Sequence, residues 1–156
     1  MQEVIKLLTE KNKTIATMES CTGGGVVNAI TNIEGASDVL KVSIVTYSNE
    51  YKIKFGVSSD IIDKYSVYSM EVAKEMALNI SKIADANYGI GITGKLNRVD
   101  KNNPYGSDNT VYVSIYDKDN DKYYDFTVKA TESTRALNKE LIINKIVDKI
   151  IVVLNG

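Results

Sequence analysis

Histidine is missing altogether from this 156-residue chain, and cysteine occurs once, as Cys21. Without imidazole, Ser-His-Asp and Cys-His catalysis are excluded, along with every metal site that needs a histidine ligand. A lone cysteine excludes an intrachain disulfide and any multi-cysteine zinc or iron–sulfur centre. Proline is nearly absent, with Pro104 alone. An excess of charge is lacking too: 19 basic against 20 acidic residues leave a net charge of −1. That balance gives no global attraction for nucleic acid or for an anionic membrane surface. A hydrolase written in this alphabet must activate its nucleophile with lysine, a carboxylate or tyrosine, or with a metal held by oxygen ligands.

What is present reads as one globular domain over 1–156. Hydrophobic residues make up 44% and charged residues 25%, and a chain of this length buries roughly 70% of its unfolded surface without a metal or disulfide. The N-terminus carries Glu3 and Lys6 where a signal peptide would place its apolar stretch. The longest apolar-rich stretch, 141–154, is interrupted by Asn144, Lys145, Asp148 and Lys149 and is too short to span a bilayer. A cytoplasmic protein is the expectation.

Apolar spacing predicts a helix over 2–12, with Val4, Leu7 and Leu8 on one face. A buried strand is expected over 14–18. Glu19 to Thr22 then opens a helix that contains Gly23, Gly24 and Gly25 and runs on through Val26, Val27 and Ile30. Residues 39–47, rich in β-branched side chains, give a second strand, and 49–55 and 58–65 two short helices. Ser69 precedes a helix over 70–84, with Val72, Ala73, Met76, Ile80 and Ile83 facing inward. A third strand covers 88–93. Residues 94–109 form the one long loop. Strands over 110–116 and 123–129 make a hairpin across Asp117–Lys122, and a last helix covers 133–154. The order predicts an α/β protein: a three-layer α/β/α sandwich on a mixed sheet, parallel early and antiparallel late. Ligands in such sheets gather at the carboxyl ends of parallel strands, which puts Ser20, Tyr47 and Thr93 on one rim.

Ser20, at a strand-to-helix turn, lies near unpaired backbone N–H groups that can steady an oxyanion or hold a phosphate. Its duller role is a helix N-cap, the glycines serving tight helix–sheet packing. Cys21 is an alternative nucleophile if a helix N-terminus lowers its thiol pKa; most lone cysteines are buried small hydrophobes. Lys52 falls one turn beyond the second strand and serves as a base only if desolvation or a nearby cation lowers its pKa. Otherwise it is one surface charge among many. Arg98 and Arg135 are the only arginines, each fit for a bidentate phosphate contact or a surface ion pair. The acidic run Asp117, Asp119, Asp121 lacks the later glutamate of a calcium loop and reads as a turn. The ten tyrosines are scattered, against a stacking surface for single-stranded nucleic acid.

Three blocks, Thr17-Met18-Glu19-Ser20-Cys21-Thr22-Gly23-Gly24, Val45-Thr46-Tyr47-Ser48-Asn49-Glu50-Tyr51-Lys52 and Gly91-Ile92-Thr93-Gly94, resemble the CinA C-terminal domain family. Its stand-alone members include nicotinamide-nucleotide amidases of the PncC type. The resemblance implies a CinA-like fold and hydrolysis of the carboxamide of nicotinamide mononucleotide to nicotinic acid mononucleotide and ammonia. It implies a Ser/Lys dyad with Ser20 as nucleophile and Lys52 as base. Tyr47, Thr93 and Arg135 would line the site, and Thr22, Gly23, Gly24 and Gly94 would meet the substrate. No cofactor, metal, nucleic acid or membrane is implied, only a small nucleotide substrate; family members are commonly oligomeric, which makes room for a homodimer. The sequence departs from the family after Thr93-Gly94: Lys95-Leu96-Asn97-Arg98-Val99-Asp100 stands where a Gly-Pro-Gly-Gly stretch is usual. That difference keeps two other readings open. One is a non-catalytic nucleotide-binding or interaction module, the other an amidase for a different nucleotide-like amide.

Overall fold

Strand β1 (Ile15–Glu19) is buried at all five positions, the signature of a strand covered on both faces. In the computed structural model, which describes residues 1–156, it lies inside a five-stranded sheet of order β2-β1-β3-β4-β5. Strands β2 (Leu40–Val45) and β3 (Tyr88–Gly94) flank β1 in parallel. Strands β4 (Thr110–Asp117) and β5 (Lys122–Lys129) add an antiparallel hairpin. The sheet is mixed as expected, parallel early and antiparallel late.

Side-chain alternation along β1 sorts the two outer layers. Ile15 joins a larger core with helices α1 (Gln2–Glu10), α2 (Gly25–Thr31), α3 (Ala36–Val39) and α7 (Arg135–Asn155). Ala16 and Met18 turn to the other face, into a smaller core with α5 (Ser59–Tyr65) and α6 (Met70–Ala84). Helix α6 begins where the sequence places it because the Ser69 hydroxyl accepts from Val72 N at 3.3 Å. Its inward face is finished by the buried Ser81; Ile83, expected inward, stays 50% exposed in the last turn, where Asp85 swings the chain away in the left-handed conformation. Gly89 and Gly91 let α6 lie close on β3: a Cβ at either would stand 2.1 Å from a carbonyl oxygen of α6.

The start of α2 differs from the expectation. Gly23 and Gly24 hold φ of +61° and +90°, a backbone that cannot sit inside a right-handed helix. Residues 21–24 therefore make a turn, and the helix begins at Gly25. At the other end of the chain the acidic run is a turn, as read: Asp117 accepts from the N–H groups of Asp119 and Asn120 and from Asn120 Nδ2.

Candidate active site

Ser20 follows β1 directly, and its N–H donates to Ile92 O of β3 at 3.1 Å. Beyond the end of β2, Thr46 N donates to Glu19 O at 2.9 Å, which holds the two strand exits side by side. Helix α4 (Asn49–Lys54) starts at Ser48, whose hydroxyl accepts from Tyr51 N. One turn in, Lys52 points back toward β1. Its ammonium nitrogen lies 3.1 Å from Ser20 Oγ and donates to Thr46 O at 2.7 Å. The parallel pairing of β1 and β2 thus brings together two residues 32 positions apart.

Lys52 is only 2% exposed. Burial pulls its pKa down from the ordinary 10.5 to about 8, against the opposing pull of Cys21 and Asp100. A neutral amine here keeps one N–H on the Thr46 carbonyl and has a lone pair for the Ser20 hydroxyl proton. Cys21 is the reverse case. Burial pushes its thiol up to about 12, so it stays protonated and inert as a nucleophile.

Helix α2 does not present its N-terminus to the site, as the sequence reading supposed. Its cap residue is Gly24, and the donors are taken by Glu19: Val26 N reaches Oε1 at 2.9 Å and Val27 N reaches Oε2 at 3.0 Å. Ser20 is therefore not the cap. The Thr22 hydroxyl adds a third bond to Oε1 at 2.7 Å. Glu19 is the site residue to which the sequence assigned no role. Its signal was an acidic side chain on the strand face shared with Ile15, just ahead of a turn with spare N–H groups. In the turn after Ser20, the N–H groups of Cys21 and Thr22 donate to no backbone carbonyl.

Ser20, Tyr47, Lys52, Gly94 and Arg135 line one cavity of about 780 Å³ at the carboxyl ends of the parallel strands. Tyr47 is 65% exposed, and Arg135 Nη2 donates to its phenol oxygen at 3.4 Å. Four residues expected there do not line it. Thr22 spends its hydroxyl on Glu19. Gly23 packs toward Lys139 and Gly24 toward Val45. Thr93 lies within β3 on the α6 face and donates to Val67 O at 2.9 Å. It positions a wall residue without being one, because Val67 does line the cavity.

The loop after β3 contributes the far wall through Lys95, Arg98, Asp100 and Asn103. Asp100 accepts from Tyr68 Oη, and this bond first, then Asn103 and Asn102, holds its carboxyl below the usual carboxylate range. Burial, with the Asp100 contact second, pushes the Tyr68 phenol up.

The profile of the CinA C-terminal domain matches residues 1–153. A CinA-like protein of Flavobacterium psychrophilum is 44% identical over 113 residues, covering 70% of this chain and 26% of that protein. A CinA-like protein of Endomicrobium trichonymphae is 38% identical over 129 residues, covering 81% of this chain and 29% of that protein. This chain thus spans under a third of the curated relatives it matches. Among solved structures, the competence/damage inducible protein CihA from Agrobacterium tumefaciens superposes with a TM-score of 0.86 at 24% identity, over 99% of this chain and 92% of that one. A competence or damage-inducible protein from Enterobacter asburiae gives 0.84 at 24% identity, over 98% and 97%. Those two likenesses speak for the fold; the profile, spanning strands, turn and cavity alike, shows that the chain belongs to the CinA C-terminal domain family.

Proposed function

We propose that this domain hydrolyses the carboxamide of nicotinamide mononucleotide, releasing ammonia and nicotinic acid mononucleotide. The observation that carries the reading is the buried Lys52 amine, its pKa near 8, set 3.1 Å from Ser20 Oγ. No other base adjoins that hydroxyl. The neutral amine takes the Ser20 proton as Oγ attacks the amide carbon. The N–H groups of Cys21 and Thr22, which donate to no backbone carbonyl, are the donors left for the charge that develops on the carbonyl oxygen. The Lys52 ammonium returns its proton to the departing nitrogen, ammonia leaves, and an ester joins Ser20 to the pyridine carboxyl carbon. Water then attacks this ester with Lys52 again as base, freeing the acid. Tyr47 and Arg135 stand at the mouth, where the ribosyl phosphate projects.

Ammonia release from nicotinamide mononucleotide tests the reading. Ser20→Ala and Lys52→Ala each lower turnover by about a thousandfold or more, as removal of a member of a catalytic unit does. A folded wild-type protein that releases no ammonia overturns the proposal. The changed loop, with Lys95-Leu96-Asn97-Arg98-Val99-Asp100 in place of the glycine-rich family stretch, favours a second reading, a nucleotide-binding module without turnover. Calorimetry then records binding of the mononucleotide with no product.

A further inference from the structure

Both arginines of the chain reach the cavity of the Ser20–Lys52 pair. They also share the walls of a second cavity, of about 190 Å³, with Leu96 common to both. Arg135 opens α7, whereas Arg98 comes from the loop over 95–109. Neither guanidinium is neutralised by the protein: all six ion pairs in the molecule use lysine. The only side-chain hydrogen bond made by either is the 3.4 Å contact of Arg135 with Tyr47. Both side chains are exposed, and nearly all the donors of the two planar forks are without an acceptor in the protein.

Anchors bracket Arg98 on both sides. Before it, Lys95 is buried, pairs with Asp108 at 3.0 Å and lies 5.1 Å from the centre of the Tyr68 ring, while Leu96 is buried in the larger core. After it, Asp100 is tied to Tyr68, and Asn103 accepts from Asn49 Nδ2 of α4 at 2.8 Å. Asp100 is the one carboxylate lining the larger cavity, and its oxygens already accept from Tyr68, Asn102 and Asn103. A loop held in this way brings one cation to the same cavity as a second, an arrangement that suits an anion with several acceptor oxygens.

We infer that Arg98, together with Arg135, binds the phosphate monoester of the substrate and so makes the site selective for nucleotide over nucleoside amides. The identity of the substrate rests on the amidase reading; the anion chemistry does not. Where the family pattern is rich in glycine, this loop brings a guanidinium to the wall instead.

The test is calorimetric, on the full chain carrying Ser20→Ala to stop turnover, with nicotinamide mononucleotide and nicotinamide riboside as probes. Adding Arg98→Ala weakens the mononucleotide tenfold or more and changes the riboside by less than twofold. Arg98→Lys recovers only part of the loss, because a point charge lacks the planar fork. Equal losses on both probes, no loss on either, or no measurable mononucleotide binding before the Arg98 change each overturn the inference. The ammonia assay separates the two readings. Arg98-dependent phosphate preference without ammonia release refutes the amidase alone. Ammonia release with a mononucleotide affinity that ignores Arg98 refutes this inference alone.

Discussion

Keeping a lysine 2% exposed is costly while it is protonated, and that cost is what makes it a usable base. The folded pKa near 8 lies below the unfolded value of 10.5. Between those values the unfolded chain binds more protons, so this residue's contribution to stability rises with pH from about 8 to 10.5 and is at its worst below 8. Two outcomes follow. Turnover on the mononucleotide rises with pH and levels off above a midpoint near 8, read from a pH–rate profile of kcat/KM. Lys52→Met is inactive yet more stable than wild type at pH 7 by about 2 kcal/mol, after allowing for a Thr46 carbonyl that loses its donor. Urea titrations at pH 7 and pH 10 check this, the advantage shrinking at the higher pH. A Lys52→Met protein less stable at both would contradict the buried-charge account. The Cys21 side chain, its thiol raised to about 12, contributes packing only, and Cys21→Ala, which keeps the backbone N–H, keeps turnover within about threefold.

The entry to α2 shows where sequence legibility stops. Helix α6 was readable over most of its length, because Ser69 announces its first turn and the apolar spacing carries through Val72, Ala73, Met76 and Ile80, failing only at Ile83 in the last turn. The turn before α2 was not. Three consecutive glycines are compatible with a helix or with positive φ, and only the tertiary pull of Glu19 on Val26 N and Val27 N decides between them. Thr93 was misplaced for a related reason: a strand position is legible, but the face it turns to depends on register against β1 and on α6 above it. The pairing of Ser20 with Lys52 carried no local signal beyond its motif, since 32 residues separate them and β-strand pairing makes the contact. Glu19→Ala tests the element directly. It removes the carboxylate that accepts from two backbone N–H groups and from the Thr22 hydroxyl, at a cost of about 3 kcal/mol in denaturant unfolding. Turnover falls with it, because the turn that presents Ser20 loses its anchor. Unchanged stability would show that α2 is held by its apolar face alone.

The cavity is assembled from opposite sides of the sheet. Arg135 belongs to α7 in the layer of the larger core, while Lys52 comes from α4, whose following residues Phe55 and Val57 pack into the smaller one. Ser20 and the loop over 95–109 join them at the strand ends, so no half of the molecule holds the site by itself. Helix α7 places Ile142, Ile146, Ile150 and Leu154 in the larger core. Burying four such side chains is worth roughly 6–12 kcal/mol, as much as the whole net stability of a domain this size. Removing α7 therefore does more than delete one arginine. A chain cut after Glu132 is expected to lose cooperative unfolding by far-UV circular dichroism and all affinity for the mononucleotide. In the intact Ser20→Ala protein, mononucleotide affinity and helical signal disappear at the same urea concentration, since the site exists only while both layers are packed on the sheet. Loss of affinity well before the helical signal would mean that the wall carrying Arg98 opens independently of the fold, and the anchors at Lys95, Asp100 and Asn103 would then be too weak to hold a phosphate receptor in place.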